Sequence, residues 1–387
     1  MRGVAALRVS LGRRAGLLAG LVLVVATAAA CGTVDPPAVA ATPEPVASPP
    51  VGTTVGPWTR LPDPPLAARH DALAVWTGDE VVVLGGSITP PCPGNALCAS
   101  GLDRIDGAAY DPVAGTWRRI ADAPAAVTAN AAVVLDGDLY VLESGAGGDG
   151  SQMLRYDPEA DVWTVLPGPS TTQGRRLLAW GDQLVAVMES APTPPTPPTT
   201  AHEIWDPATA TWTPLPPDPM PAEWYRFGFT VGPDLYVSTI DTLARFDGSA
   251  WALVQVGDDG ATCDDLRATR GPSAPDTVLM PRGPDSPAFC VRDDDALAGV
   301  EAPPSYDAAT RIIEFPLGGD ERAALGTSVY DAAATAWMSL DAPNTLQREG
   351  MAAVWAGDEL FTFGGAARTD TFDTPVYGDA WLWTAPG

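Results

Sequence analysis

Residues 110–117 read YDPVAGTW, from Tyr110-Asp111 to Trp117. The same arrangement of an aromatic residue, an Asp and a Trp seven places after the aromatic returns three more times. It runs from Tyr156-Asp157 to Trp163, from Trp205-Asp206 to Trp212 and from Tyr330-Asp331 to Trp337, with a shortened copy from Phe246-Asp247 to Trp251. Pro, Gly, Ala and Thr fill the space between the marks, a composition that turns the chain between two strands. Self-similarity at a spacing of a few tens of residues is the signature of a repeat architecture.

Upstream of each mark lies a second signature, a tight turn between two apolar runs. The turns are Trp76-Thr77-Gly78-Asp79, Asp136-Gly137-Asp138, Trp180-Gly181-Asp182, Gly232-Pro233-Asp234 and Trp355-Ala356-Gly357-Asp358. Gly and Asp accept the positive φ that hairpin turns demand. Val81 to Leu84 and Leu360 to Phe363 each run into a Gly pair, Gly85-Gly86 and Gly364-Gly365, while Glu143-Ser144 and Glu189-Ser190 stand at that place in two other units. Helical periodicity is absent, so each unit reads as four short antiparallel strands.

This set resembles the kelch repeat, in which a Gly pair follows the second strand and a Tyr and a Trp come later. The resemblance covers residues 57–387 and implies an all-β fold, a kelch-type β-propeller. The gap from Trp251 to Trp337 is about twice the others, so a unit lacking its Trp is expected inside it, with Ile312 to Gly319 as its second strand. That gives seven blades; six with a long insertion is the alternative. Trp58-Thr59-Arg60-Leu61 matches a fourth strand without a blade, and the last unit stops at Trp381-Leu382-Trp383 without one. Pairing them closes the ring and removes the open sheet edges.

The N-terminus reads as an export signal, residues 1–30. Arg2, Arg8, Arg13 and Arg14 precede an apolar run from Leu17 to Val25, and small residues then lead into Cys31. The order resembles a bacterial lipobox, which implies lipidation of Cys31 and anchoring at the outer face of the cell membrane; ordinary signal cleavage is the alternative. Residues 31–56 follow as the lipidated Cys and a Pro/Ala-rich tether without hydrophobic periodicity. The remaining cysteines fall into near pairs, Cys92 with Cys98 and Cys263 with Cys290, and an even count in an exported chain favours disulfides.

The chain has a net charge of −26 and contains no lysine. Such a surface argues against nucleic acid as a partner, since that binding displaces counterions with basic side chains. Schiff-base and P-loop chemistry are excluded for want of a lysine. Two histidines, His70 and His202, and no Cys-x-x-Cys leave a metal site without ligands. They also leave unsupported the copper chemistry of some kelch enzymes. The acidic runs Asp258-Asp259, Asp264-Asp265 and Asp293-Asp294-Asp295 lack the ordered spacing of a calcium loop. No cofactor is expected.

Loops from strand four to one and from strand two to three gather on one face of a propeller, where ligands usually sit. The longest loops, residues 87–105 and 190–201, fall there. Arg69 and Arg348 each stand nine residues before a turn glycine, Gly78 and Gly357, and as neighbours across the closure they could grip a carboxylate, sulfate or phosphate. The alternative is that both serve packing within their blades. Trp224-Tyr225-Arg226 could stack on a sugar or a peptide side chain, or wedge between blades. Arg175-Arg176 holds the analogous place in the third unit. Asp71, Glu143, Glu189 and Glu223 are the rim carboxylates available for acid–base work. Two functions follow: a binding module for an envelope protein or glycan, or a kelch-type enzyme, an epimerase, mutarotase or hydrolase, acting on a sugar or sugar acid.

Overall fold

A computed structural model describes residues 50–92, 104–127, 132–142, 152–170, 174–188, 202–220, 226–231, 233–238, 243–253, 280–281, 288–293, 296–301, 322–325, 328–331, 334, 336–367 and 374–385. Apart from a 3-10 turn at Asn344–Leu346, these residues form strands, turns and irregular segments.

The described strands fall into seven antiparallel sheets. The first joins Leu73–Trp76, Val81–Leu84, Gly107–Asp111 and Thr116–Ile120. The second joins Ala132–Leu135, Asp138–Leu142, Gln152–Asp157 and Val162–Pro167. Arg175–Trp180, Gln183–Met188, Glu203–Asp206 and Thr211–Pro214 make the third. Phe227–Val231, Asp234–Ser238, Leu243–Phe246 and Trp251–Leu253 make the fourth. Two three-stranded sheets follow, Met280–Pro281 with Ala288–Asp293 and Ala296–Glu301, then Arg322–Leu325 with Ser328–Asp331 and Ala336–Ser339. The last holds Arg348–Ala356, Glu359–Ala367, Ala380–Thr384, Trp58–Arg60 and the edge pair Thr54–Val55.

The repeat mark is the hairpin between the last two strands of a sheet. Tyr110 lies opposite Trp117, Tyr156 opposite Trp163, Trp205 opposite Trp212, Phe246 opposite Trp251 and Tyr330 opposite Trp337. Directly opposed residues share a face, so each aromatic pair touches, at 4.9–5.4 Å between ring centres. The Asp between them caps the turn: Asp111 Oδ1 accepts the N–H groups of Val113 and Ala114, and Asp247 Oδ1 those of Ser249 and Ala250. Four hydrogen bonds to the turn hold the exposed Asp247 carboxyl down to about 2.

The indoles do a second thing. Trp117 Nε1 donates to Pro62 O, Trp163 to Ala121 O, Trp212 to Pro167 O and Trp251 to Pro216 O. Each acceptor stands at or just past the end of the preceding sheet's fourth strand. Trp58 keeps the rule, for its Nε1 donates to Leu340 O, just past Ala336–Ser339. The first Trp of the chain therefore behaves as the fourth-strand Trp of the last sheet. Its register agrees: Trp58 lies opposite Trp383, and Arg60 opposite Trp381.

Core residues lie between sheets because successive side chains on a strand point to opposite faces. Val82 and Leu84 pack with Leu139, Val141 and Tyr156 of the second sheet. Val81 and Val83, their alternates, pack with Phe361 and Phe363 of the last. Both faces of Val81–Leu84 are thus covered, which is why that strand is a continuous apolar run. Leu142 and Met153 meet Leu177 and Leu184, and Val185 and Val187 meet Leu235 and Val237. The first strands of neighbouring sheets also lie side by side, Arg348–Ala356 next to Leu73–Trp76, then Ala132–Leu135, Arg175–Trp180 and Phe227–Val231.

Three expectations meet the structure here. A three-stranded sheet at 280–301 lies in the interval where the unit without a Trp is expected, and Ile312–Gly319 lies outside the described residues. The end of the stretch read as tether carries structure: Thr54–Val55 pairs with Trp58–Arg60, and Gly52 N–H reaches Arg60 O at 3.0 Å. Residues 1–49, with the signal segment and Cys31, lie outside the described residues, as do Glu143-Ser144 and Glu189-Ser190.

Candidate functional site

The mouth of the first and last sheets is built around the Gly pairs. Gly364 has φ +72°, and a Cβ there would stand 2.4 Å from Arg69 O; at Gly85, with φ +70°, it would stand 2.5 Å from Val127 O. Only glycine lets one sheet's backbone pass so close to the lead-in of the next. The two arginines expected to lie side by side are joined through the second pair. Gly365 N–H donates to Arg69 O at 2.9 Å, and Arg348 Nη1 donates to Gly364 O at 3.0 Å.

Both guanidinium groups are buried and engaged within their own sheets. Arg69 forks onto Asp106 at 3.1 and 2.9 Å, while Gly85 O and Ala67 O take further N–H groups. Arg348 forks onto Asp379 at 2.6 and 3.0 Å, and Tyr377 covers its face, with Cζ 3.7 Å from the ring centre. Arg175 repeats the plan, with Nη2 on Glu203 at 2.6 Å and Nη1 on Ala186 O at 3.0 Å. Three arginines at the start of a first strand thus bind an acid at the start of a third strand and a carbonyl near the end of the second. Burial works against charge on Asp106 and Asp379, but the arginine bonds outweigh it and hold both carboxyls below the usual range.

Arg226 differs. It is buried against Asp218, which also accepts from His202 Nε2 at 2.8 Å. His202 Nδ1 in turn accepts the Met188 N–H at 3.2 Å, so its proton is on Nε2 and the ring is neutral. Burial lowers its pKa, which agrees, although Asp218 pulls the other way. Arg176 is half-buried, opposite Val187. Trp224, Tyr225 and Glu223 lie outside the described residues. Of the cysteines, Cys92 is exposed at the described end of its loop, and Cys290 lies on the strand Ala288–Asp293; Cys31, Cys98 and Cys263 lie outside the described residues. Among the described residues no three His, Cys, Asp or Glu side chains are grouped to hold a metal.

Asp71, one of the rim carboxylates, is paired with His70, a pairing not anticipated from the sequence. His70 Nδ1 lies 2.7 Å from Asp71 Oδ2, and Nε2 lies 2.7 Å from Thr89 O. Asp71 occupies the left-handed region with φ 53°, and its N–H donates to Gly350 O of the last sheet at 2.7 Å. Counting from the arginines, Arg69-His70-Asp71 matches Arg348-Glu349-Gly350. An Asp standing where the sister unit uses Gly was the available signal.

No family model matches the chain. Over 133 residues it is 32% identical to the Kelch-like protein terF of Aspergillus terreus, a match covering 32% of this chain and 27% of that protein. The chain therefore spans about a quarter of that relative's length. Repeated four-stranded antiparallel sheets, interlocked by their tryptophans, stand beside that likeness. The fold is a kelch-type β-propeller. In it, the arginines Arg69, Arg175 and Arg348 each tie strands of their own blade, and the residues immediately after them vary from blade to blade.

Proposed function

We propose that this chain is a cell-envelope lipoprotein whose seven-bladed propeller is a protein-interaction module. It is exported, anchored through lipid on Cys31 to the outer face of the membrane, and carries disulfides between Cys92 and Cys98 and between Cys263 and Cys290. The single observation carrying the interaction reading is the state of the arginines. Arg69, Arg348 and Arg175 are committed to carboxylates of their own sheets. A small acidic substrate would have to break buried ion pairs to reach them, at a cost of about 3–5 kcal/mol each. That weighs against the sugar-acid enzyme and leaves recognition to the loops between second and third strands. The name of the fungal relative, a Kelch-like protein, agrees with the repeat.

The test places a photo-crosslinking residue at Ile88 or Ile105, both exposed beside the long loop, or at exposed Val113 on the opposite end of the same blade. Capture of one defined envelope protein from Ile88 and Ile105 but not from Val113 supports the reading. A sugar acid that raises the melting temperature of the wild-type chain, with the shift lost in Arg348→Lys, overturns it in favour of the enzyme. For the anchor, Cys31→Ala should release the protein from membranes; retention refutes lipid attachment there.

A further inference from the structure

Histidine has one donor and one acceptor nitrogen when neutral and two donors when charged. At the mouth of the first blade both nitrogens of His70 meet acceptors that cannot donate, the Asp71 carboxylate and the Thr89 carbonyl, each at 2.7 Å. A neutral ring would set a lone pair against one of them. From this geometry we infer that His70 is a proton-operated latch: as an imidazolium it ties the strand-two to strand-three segment at Thr89 to Asp71, and loss of its proton releases one side.

The surroundings are arranged to keep the choice binary. His70 pairs by backbone with Ser87 in both directions, at 3.0 and 2.8 Å, so the ring cannot drift from the segment it holds. Gly86 packs against the His70 carbonyl, where a Cβ would stand 2.7 Å away. Asp71 is fixed by its bond to Gly350 O, and Gly350, itself at φ +63°, leaves room for the Asp71 carboxylate that a Cβ would meet at 2.6 Å. The carboxylate is otherwise turned to solvent, with 67% of the side chain exposed. Ionisable groups on the elements packed around it are Arg104 and Arg69, which both pair with Asp106, and Glu349 beside Gly350. Burial works to lower the His70 pKa, but the Asp71 hydrogen bond, the Thr89 carbonyl and the Asp71 charge together raise it above the ordinary value of 6.5.

The sign follows from linkage. A histidine whose folded pKa is raised adds stability that is fully present below 6.5 and lost as pH rises through the folded value. Deprotonation also leaves the Asp71 charge uncompensated, so the mouth becomes more negative, and binding of a charged partner there becomes pH-dependent.

The chain holds two histidines, so an imidazole nitrogen-15 NMR titration of the full chain reads both, with His70→Gln assigning the signals. The expected result is that His70 carries protons on both nitrogens at pH 6 and titrates above 6.5, falling in Asp71→Asn, while His202 stays neutral with Nδ1 bare. Melting temperature should fall from pH 6 to 8.5 in the wild type, with a flatter slope in His70→Gln. A His70 that titrates at or below 6.5, or has one bare nitrogen at pH 5, overturns the proposal. So does a melting slope unchanged in His70→Gln.

Discussion

Replacing Trp58 by Phe tests whether the first strand really acts as the last blade's fourth. Trp58 is fully buried among Leu340, Trp355, Leu360 and Trp383, and its Nε1 donates to Leu340 O at 2.6 Å. Phenylalanine keeps a ring in that space but removes the donor and leaves a buried carbonyl short of a partner. The unmet acceptor costs about 1–3 kcal/mol, and the smaller ring roughly another 1 kcal/mol in lost apolar burial. Trp212 makes the same bond, to Pro167 O at 2.9 Å, but at the water-exposed rim. There water replaces the indole, so Trp212→Phe should cost less than about 1 kcal/mol. Urea unfolding of the full chain, followed by far-UV circular dichroism because 13 tryptophans blur a fluorescence signal, measures both. Trp58→Ala, which also empties a cavity, should cost about 3–5 kcal/mol. If Trp58→Phe costs no more than Trp212→Phe, the hydrogen bond does not stitch the last two sheets, and the closure argument built on it fails.

Removing one partner of a buried pair should be severe: Arg348→Ala leaves Asp379 with Trp381 Nε1 but no countercharge, a loss of about 3–5 kcal/mol in the same assay. Gly364→Ala must take a left-handed φ and collide with Arg69 O, whereas Gly357→Ala, at φ +60° with nothing within 4 Å, bears only the backbone strain of about 1 kcal/mol. The expected order of melting temperatures is therefore wild type, Gly357→Ala, Gly364→Ala. Asp106, Asp218 and Asp379 all have carboxyls held below their ordinary value of 3.8. Their contribution is present above that value and lost as pH falls through the depressed ones, so stability should decline steeply on acidification below about pH 4. An acid-side melting profile that stays flat down to pH 2 would contradict these pairings.

The hairpin marks were legible because local chemistry fixes them. An Asp that caps its own turn and an aromatic opposite a Trp must keep their spacing, as Asp111 and the Tyr110–Trp117 pair do. The arginine pairs were not legible for the opposite reason. Their partners lie 37 residues on in the first blade, 28 in the third and 31 in the last, because the intervening loop varies. A cation can be read from a sequence, but its acid cannot be picked from many when no spacing recurs. Hence Arg69 and Arg348 read equally well as ligand grips. The blade without a Trp was hard to place because its strongest mark is missing. Tyr306-Asp307 stands seven residues before Ile313 rather than before a Trp, so the repeat mark is incomplete there. The edge pair Thr54–Val55 is too short to show any period.

Repeated and unrepeated residues divide the work. A side chain that recurs at one place in several blades, such as Arg69, Arg175 and Arg348, meets a requirement every blade shares, and its partners here are the blade's own carbonyls and acids. The two residues after it meet no common requirement: His70-Asp71, Arg176-Leu177, Phe227-Gly228 and Glu349-Gly350 differ in charge, size and polarity. These positions lie at or just before the starts of first strands, and those strands neighbour one another. The left-handed φ of Asp71 is shared by Asp136, Asp161 and Asp341, so it is a conformation that Asp adopts elsewhere in this chain. What sets Asp71 apart is its carboxylate, which stands largely exposed 2.7 Å from His70 Nδ1.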